Sequence, residues 1–314
     1  MQVRRSTSLC IKTPIALTIG NFDGVHLGHQ AMLIRLKKAA KQRGLRACVM
    51  TFEPHPCEFF SPNQAPARLT SLREKLELLA KSNVDQALVY RFNRDFAKTS
   101  PEVFVTRILV NALSVRWILV GDDFRFGARR AGDLALLKGC AEQYCFEVEE
   151  MPSFTINNQR VSSSAVRQAL AIDDLNAAKR YLGRHYSISG RVIHGNKLGK
   201  KLGFPTVNIQ MRHNRSPLSG IFVVEVYDAT ESSQPKKIPG VASLGVRPTV
   251  CENGCVTLEV HLLDFDQDIY GRYLRVDFLH KLRDEETYPD LGLLVKQMEK
   301  DVENTRNYFL LNTR

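Results

Sequence analysis

The sequence lacks the cysteine spacing of a disulfide framework or of a common zinc site. Its 314 residues include seven cysteines, an odd number, and no Cys-x-x-Cys pair occurs among them. Cys251 and Cys255, with His261 downstream, could in principle hold a metal, but their spacing matches no common zinc pattern. We therefore expect reduced thiols and a cytoplasmic protein.

Long apolar runs are also missing. No segment approaches the roughly 20 consecutive apolar residues that cross a bilayer, and the apolar stretch after Arg4 and Arg5 is interrupted by Lys12 and Pro14. We expect neither a signal peptide nor a membrane partner. With 44% hydrophobic and 25% charged residues, the composition is typical of a folded globular protein. A chain of this length predicts two domains.

The charge balance is strongly basic, with a formal net charge of +11. Such a charge suggests an anionic partner, which could be nucleic acid, a phosphorylated small molecule or an acidic membrane surface. The basic residues are spread in short groups, without the dense tail that marks a nucleic-acid arm, and no repeat or low-complexity segment occurs. A solvated surface is the favoured interpretation, and charge alone does not choose a partner.

Through residue 183, short apolar runs alternate with helical stretches. Ser71 and Glu74 form a capping box, and Ser100 with Pro101 gives another helix start. Strands buried on both faces are predicted at residues 15–19, 47–52, 87–90, 117–120 and 146–148. This alternation predicts an α/β domain, residues 1–183, with a doubly wound parallel sheet.

After about residue 185, strands follow one another without intervening helices. They are predicted at residues 188–193, 221–227, 241–244, 258–263 and 273–278, with turn residues between them. This pattern predicts a second domain, residues 184–314, built as a small antiparallel β-barrel or sandwich that an amphipathic helix at 290–311 closes.

The segment Gly20-Asn-Phe-Asp-Gly-Val-His-Leu-Gly-His29 follows the first predicted strand. Ligands of open parallel sheets bind beyond the carboxyl ends of strands, where helix N-termini present free N–H groups. His26 and His29 would share a face of the first helical turn, and Gly28 removes a side chain between them. A phosphate site is the favoured interpretation; a metal pair or two structural histidines remain the alternatives.

These residues resemble a known family. The His-x-Gly-His element is similar to the signature of the nucleotidyltransferase superfamily. Together with Thr51-Phe-Glu-Pro-His-Pro56, Gly121-Asp-Asp-Phe-Arg-Phe-Gly127 and Val161-Ser-Ser-Ser-Ala-Val-Arg167, the chain resembles the bacterial bifunctional riboflavin kinase/FAD synthetases along nearly its whole length.

For the N-terminal domain, the resemblance implies transfer of AMP from ATP to FMN, giving FAD and pyrophosphate, with Mg²⁺. It implies that His26 and His29 are catalytic and that FMN lies near His55 and Pro56. The implied ATP-binding residues are Gly20, Phe22, Asp23, His26, His29, Asp123, Ser162, Ser163 and Arg167. For Asp123, a capping role in a simple turn is the alternative. Ser164 stands where the family commonly has threonine, and the serine keeps the hydroxyl group.

In the C-terminal half, glycines at 195, 199 and 203 surround two lysines but do not fit the P-loop spacing. A glycine-rich flap on a barrel fits better. The following Gly-Phe-Pro-Thr-Val-Asn resembles an element of riboflavin kinases, in which Thr206 and Asn208 share one face of a strand and hold Mg²⁺. The implied ATP-binding residues of this domain are Gly195, Lys197, Gly199, Gly203, Thr206 and Asn208.

The resemblance also assigns Glu259 as the base that accepts the ribityl hydroxyl proton of riboflavin, with an outward-facing strand glutamate as the alternative. Arg283, Glu285 and Tyr288 match the family's flavin-contacting turn, although Tyr288 stands where phenylalanine is usual.

The expected protein is therefore an enzyme that acts on riboflavin, FMN, FAD and ATP, with no nucleic-acid partner. Two alternatives remain. The first is a nucleic-acid-binding protein, and the second is an adenylyltransferase with a non-catalytic C-terminal module. The barrel strands carry mainly Val, Ile and Leu instead of stacking aromatics, which disfavours the first. The oligomeric state is left open.

Overall fold

The computed structural model describes residues 1–5, 11–195, 199, 202–211, 215–230, 236–247 and 255–312. The chain divides into two compact units, one formed by residues 1–66 and 72–163 and the other by residues 67–71 and 164 onward. The two helices at 163–171 and 175–182 thus cluster mainly with the second unit. The functional boundary at residue 183 stays a prediction.

The first unit is built on a six-stranded, all-parallel sheet. Its strands are β1 (Gln2–Arg5), β2 (Ile15–Ile19), β3 (Arg46–Glu53), β4 (Gln86–Arg91), β5 (Val115–Gly121) and β6 (Glu147–Met151), in the spatial order β1-β4-β3-β2-β5-β6. The predicted doubly wound parallel sheet is confirmed. The sequence analysis missed β1, a short polar strand that pairs with β4 at the edge. A two-stranded hairpin of β7 (Thr155–Ile156) and β8 (Gln159–Arg160) follows.

Both faces of this sheet are buried, which is why its strands read as continuous apolar runs. In β2, Ile15 and Leu17 belong to one hydrophobic cluster and Ala16 to the other. Strand β5 alternates in the same way, with Ile118 on the first side and Trp117 on the second.

Helices cover the sheet. They are α1 (Leu27–Gln42), α2 (Pro56–Phe60), α3 (Leu72–Lys81), α4 (Arg94–Ala97), α5 (Pro101–Val103), which continues as a π-helix (Phe104–Ala112), and α6 (Leu134–Tyr144). The predicted start at Ser100 is confirmed, because its hydroxyl accepts the Val103 N–H at 3.3 Å and Pro101 takes the first helical position. Among the residues that are described, no helix is long and apolar enough to cross a membrane.

The second unit contains a closed antiparallel barrel. Two helices, α7 (Ser163–Ala171) and α8 (Leu175–Leu182), precede it, and α8 ends at Gly183, which takes the left-handed conformation with φ 70°. The strands are β9 (Ser187–Ile193), β10 (Thr206–Gln210), β11 (Gly220–Asp228), β12 (Ile238–Arg247), β13 (Cys255–Leu262) and β14 (Tyr273–Arg283), in the order β10-β13-β12-β11-β14-β9, and β9 pairs with β10 to close the barrel. Helix α9 (Leu291–Asn312) follows, close to the predicted 290–311. The predicted barrel is confirmed.

The topology places a ligand-binding edge next to β2. This strand pairs with β3 on one side and β5 on the other. After β2 the chain builds one side of the sheet through β3 and β4, and it then crosses to the other side through β5 and β6. Ligands of open parallel sheets bind at such a reversal, beyond the carboxyl ends of the strands. The segment with the two histidines begins at this end of β2.

Candidate functional site

The loop between β2 and α1 has a strained backbone. Phe22, Gly24 and Val25 have φ values of 50°, 79° and 40°, and a β-branched residue in this region is a true outlier. Gly20 allows a close approach, because a Cβ there would lie 3.2 Å from the Phe22 ring. Strain of this kind persists only where surrounding contacts enforce it and is concentrated at functional sites.

His26 and His29 come together as predicted. His26 is the N-cap of α1, and its Nδ1 accepts the His29 N–H at 3.3 Å. The two imidazole rings stack with centroids 3.7 Å apart and an angle of 20° between their planes. Because Nδ1 of His26 accepts a hydrogen bond, the neutral ring carries its proton on Nε2 and can donate it to a ligand.

Gly28 makes this stack possible. A Cβ at Gly28 would lie 3.1 Å from Nδ1 of His26 and 3.4 Å from the Val161 carbonyl oxygen. The place of the missing side chain is therefore taken in part by the His26 ring itself.

The surroundings of His29 favour its neutral form. Burial, the neighbouring His26 and the Lys75 ammonium hold the pKa of His29 well below its ordinary value. Within the described part of the chain, Nδ1 of His29 is a buried atom without a hydrogen-bond partner. A neutral imidazole still donates one N–H, so each histidine can stabilise a phosphate oxygen.

The start of α7 is tied to the same loop. The Ser163 hydroxyl donates to the carbonyl oxygen of Asp23 at 2.8 Å, and Asp23 is 2% exposed. Ser162 precedes Ser163 and is half-buried. Arg167 lies further along α7, in the second unit, where its Nε donates to the Ala67 carbonyl at 2.6 Å.

Asp123 and His55 both have local partners. The Asp123 side chain is 68% exposed, and its carboxylate accepts a hydrogen bond from Arg160 at 2.6 Å. His55 is the N-cap of α2 and accepts the Cys57 N–H at 3.2 Å, with Pro56 at the first helical position. Their assigned contacts with ATP and FMN stay predictions.

Near α2 the structure groups aromatic rings that the sequence analysis did not connect. The Phe92 ring centroid lies 5.4 Å from Phe59, 5.5 Å from Phe96 and 5.9 Å from Phe52. These residues come from two stretches of the chain, 52–59 and 92–96, and no local pattern reveals the contact between the two.

In the barrel, Thr206 and Glu259 meet across two paired strands. The register of β10 and β13 places Thr206 opposite His261 and Asn208 opposite Glu259. The Thr206 hydroxyl lies 3.5 Å from Oε2 of Glu259, and both side chains line a cavity of about 260 Å³. Val207 faces the other way and packs against the barrel core, as the alternation of the strand predicts.

The flavin-contacting turn expected after β14 lines the same cavity. Arg283, Glu285 and Tyr288 all contribute to its wall. The rest of the lining is largely apolar, with Ile221, Val241, Leu294, Met298 and Val302. A flat aromatic ring with polar edges fits such a wall, because the apolar side chains cover its faces while the charged groups bind its edge.

The sequence analysis missed Gly245 and Asp301, which lie next to Glu285 and Arg283 of this cavity. The Glu285 carboxylate accepts the Ser243 hydroxyl at 3.1 Å and lies so close to Gly245 that any Cβ there would overlap it. Arg283 donates to Asp301 of α9, which is 4% exposed. A glycine inside a strand and an aspartate on the buried face of a helix are the sequence signals that could have identified Gly245 and Asp301.

Two glycines that precede β10, Gly195 and Gly199, lie close to residues 204 and 208. A Cβ at Gly195 would overlap the Asn208 amide, and one at Gly199 would overlap the Phe204 carbonyl oxygen. Gly203 has φ 86°. Lys197, assigned to ATP, and Cys251, weighed as a metal ligand, lie outside the described residues.

Comparisons with known proteins identify both halves. A family model described as FAD synthetase matches residues 10–165, and one described as riboflavin kinase matches residues 182–309. Proteins named bifunctional riboflavin kinase/FMN adenylyltransferase are similar over nearly the whole chain. The one from Haemophilus influenzae is 46% identical over 295 residues, 94% of this chain and 94% of its own; the one from Escherichia coli K12 is 46% identical over 293 residues, 93% and 92%.

A crystal structure shares the complete fold. It is of a protein from Streptococcus pneumoniae named a macrolide-efflux protein, which is 28% identical and superposes with a TM-score of 0.80 over 98% of this chain and 99% of its own.

Proposed function

The chain belongs to the bifunctional riboflavin kinase/FMN adenylyltransferase family, and we propose that its two activities use two separate sites, one for each functional domain. It phosphorylates riboflavin with ATP to give FMN, and it transfers AMP from ATP to FMN to give FAD and pyrophosphate. We assign AMP transfer to residues 1–183 and riboflavin phosphorylation to residues 184–314. We also propose a cytoplasmic location, because the spacing of the seven cysteines does not match a disulfide framework.

AMP transfer occurs at the stacked histidines. An oxygen of the FMN phosphate attacks the α-phosphorus of ATP, and the bond to pyrophosphate breaks. Negative charge grows on the phosphate oxygens during this step, and His26 and His29 donate hydrogen bonds to them from fixed positions. Loss of one such donor typically costs about 10²–10³ in rate. Gly20, Phe22, Asp23, Ser162 and Ser163, whose segments meet at this end of the sheet, would hold the nucleotide, with Asp123 and Arg167 as further ATP contacts.

The FMN side of this reaction is assigned to His55 and Pro56 at the start of α2. The neighbouring Phe59, Phe92 and Phe52 rings offer an apolar surface of the kind that a flat ring system packs against. This grouping supports the assignment, which the resemblance first suggested.

Riboflavin phosphorylation occurs in the barrel cavity. The Glu259 carboxylate accepts the proton of the ribityl hydroxyl as that oxygen attacks the γ-phosphorus of ATP, and ADP leaves. Arg283, Glu285 and Tyr288, which line the same cavity, bind the flavin. On the ATP side are Thr206, Asn208 and the glycines at 195, 199 and 203, together with Lys197.

The oxygen-bearing groups at the start of β10 fit Mg²⁺, which prefers oxygen ligands and usually binds through one or two protein groups together with substrate phosphates. The hydroxyl of Thr206 and the side-chain amide of Asn208 share one strand face, and the Glu259 carboxylate lies beside Thr206. No group of three His, Cys, Asp or Glu able to hold a metal occurs among the described residues. Thr206 and Asn208 would hold Mg²⁺, which supplies neutralisation of phosphate charge when bound.

One observation carries the kinase assignment: side chains from three separate chain segments, at 206, 259 and 283–288, line one cavity. The direct test is to incubate the purified protein with riboflavin, ATP and Mg²⁺ and to separate the flavins. We expect FMN and then FAD. A protein that forms neither would contradict the proposal.

Two variants test the division into sites. His29→Ala should stop FAD formation while FMN still accumulates, since the kinase residues are untouched. Glu259→Gln should abolish riboflavin phosphorylation but leave added FMN convertible to FAD. Loss of both activities in either folded variant would show that the two sites are not independent.

A further inference from the structure

Lys75 is a buried cation next to the proposed AMP-transfer site. It lies on α3 and is only 2% exposed. Along this helix it falls three residues after Leu72 and four before the fully buried Leu79, on the face that meets the core. Removing an ammonium group from water is costly unless its surroundings compensate. A charge retained at an apolar helix position therefore indicates a role that an apolar residue could not fill.

Lys75 is connected to the strained loop by hydrogen bonds. Its Nζ donates to the Thr51 hydroxyl at 3.4 Å, and that hydroxyl donates to the carbonyl oxygen of Asn21 at 3.1 Å. Thr51 is fully buried, and a hydroxyl can accept and donate at once, so one side chain joins α3 to the loop. The same loop is held at its start by the Gly20 N–H, which donates to the Met50 carbonyl at 3.0 Å.

The ammonium group also acts on the histidines. Burial, then the neighbouring His26 and finally the Lys75 charge lower the pKa of His29. Two further charged residues of these segments are also buried, Asp23 in the loop and Glu74 beside Lys75 in α3. A positive charge near His29 favours an anionic ligand at this site, because Coulomb interactions are strong where water is excluded.

We propose that Lys75 is a positioning residue of the AMP-transfer site, an inference that rests on the function proposed above. Its ammonium group holds the Asn21 carbonyl through Thr51 and supplies positive charge near His29 for a triphosphate substrate. Lys75 does not itself touch the reacting atoms. It sets the shape of the loop and the electrostatic potential in which the histidines act.

The test compares Lys75→Met, which keeps the length of the side chain without its charge, with Lys75→Arg, which keeps the charge. For Lys75→Met we expect KM for ATP in the conversion of FMN to FAD to rise about tenfold and kcat to fall about tenfold, the scale of one charged hydrogen bond. Lys75→Arg should recover most of the ATP affinity. The acid limb of the pH profile for FAD formation should move to higher pH in Lys75→Met, because His29 then binds a proton more readily.

Lys81→Met is the matched control, since Lys81 lies on the same helix and is exposed; it should leave FAD formation unchanged. If Lys75→Met does not fold, Thr51→Val, which removes the hydroxyl at nearly constant shape, should by itself lower kcat. The inference would be overturned if Lys75→Met formed FAD at a rate within twofold of the original chain. If Lys75→Met does not fold, the same result for Thr51→Val would overturn it. An original chain that makes no FAD from FMN would instead overturn the proposed function.

Discussion

The Asp301 carboxylate binds the guanidinium of Arg283 with both of its oxygens. The Arg283 Nη2 donates to Oδ2 at 2.7 Å, and its Nε lies 3.1 Å from Oδ1. Asp301 is fixed in turn, because Gln297 donates to Oδ1 at 2.9 Å and the Thr305 hydroxyl donates to the Asp301 carbonyl oxygen at 2.8 Å. Burial by itself would lower the pKa of Arg283, but these hydrogen bonds raise it above its ordinary value. Helix α9 thus orients a side chain of the kinase cavity.

Replacing Asp301 with Asn should weaken riboflavin binding. The change leaves the Arg283 charge without its partner in a buried site, which typically costs several kcal/mol, and the guanidinium then moves away from the flavin. We expect KM for riboflavin to rise about tenfold or more, with a smaller change in kcat, while added FMN is still converted to FAD.

Asp264→Asn is the matched control for Asp301→Asn. Asp264 also binds an arginine of α9 with both oxygens, at 2.7 and 2.8 Å from Arg306, but this pair is exposed. Water screens such a pair, so its loss should change little. Equal effects of the two substitutions on KM would contradict the role of Asp301.

Gly245→Ala should damage the kinase through Glu285. The new methyl group would overlap the Glu285 carboxylate, which must then leave its position beside Ser243. We expect a larger rise in KM for riboflavin than in Ser243→Ala, which removes the 3.1 Å hydrogen bond to Glu285 without a clash. Steady-state kinetics of riboflavin phosphorylation measure both, and a Ser243→Ala defect as large as that of Gly245→Ala would argue against the steric explanation.

Gly28→Ala should reduce FAD formation while leaving the stability of the first unit nearly unchanged. Alanine favours helix by up to about 1 kcal/mol over glycine, but here its Cβ would press on the His26 ring at 3.1 Å. We therefore expect little net change in stability and at least a tenfold fall in FAD formation, because the donors move out of place.

Gly139→Ala is the control for Gly28→Ala, since Gly139 lies in α6 of the same unit and a Cβ there meets nothing within 4 Å. It should gain stability and keep full activity. An equally active Gly28→Ala variant would show that the close stack of the histidines is not required.

The stability of the first unit should fall on acidification because of His29. Its pKa in the folded protein is well below the ordinary value, which is about 6.5 and applies to the unfolded chain. Below that pH the unfolded chain binds a proton that the folded chain does not, so stability is complete above pH 6.5 and is lost as the pH falls toward the folded pKa. Since a single imidazole takes up at most one proton over this range, we expect a loss of at most about 1 kcal/mol between pH 7.5 and 5.5.

Trp117 allows this measurement in one unit. It is the single tryptophan of the chain and is buried in the core of the first unit, so its fluorescence during urea unfolding reports that unit alone. His29→Gln should reduce the difference between the two pH values. An unchanged difference in this variant would assign the effect to other groups.

Local patterns carried much of the fold and of the candidate site. The apolar runs of β2 and β5 predicted a sheet buried on both faces, and the strand alternation around Thr206 and Glu259 predicted which side chains share a face. These features depend on the fixed periods of strand and helix, which a sequence shows directly. The edge strand β1 was not predicted, because Gln2–Arg5 is polar and becomes a strand only through its pairing with β4.

The amino-acid sequence by itself determined the two-part α/β and barrel architecture, the place of the histidine pair at a helix start and the family resemblance, because periodicity and motif spacing are local. Only the tertiary structure decided that Lys75 reaches the histidine loop through Thr51, that Asp301 holds Arg283, and that Gly245 must have no side chain beside Glu285. Each of these contacts joins segments that the chain keeps apart, and only the packing of the core and the closure of the barrel bring them within hydrogen-bond distance.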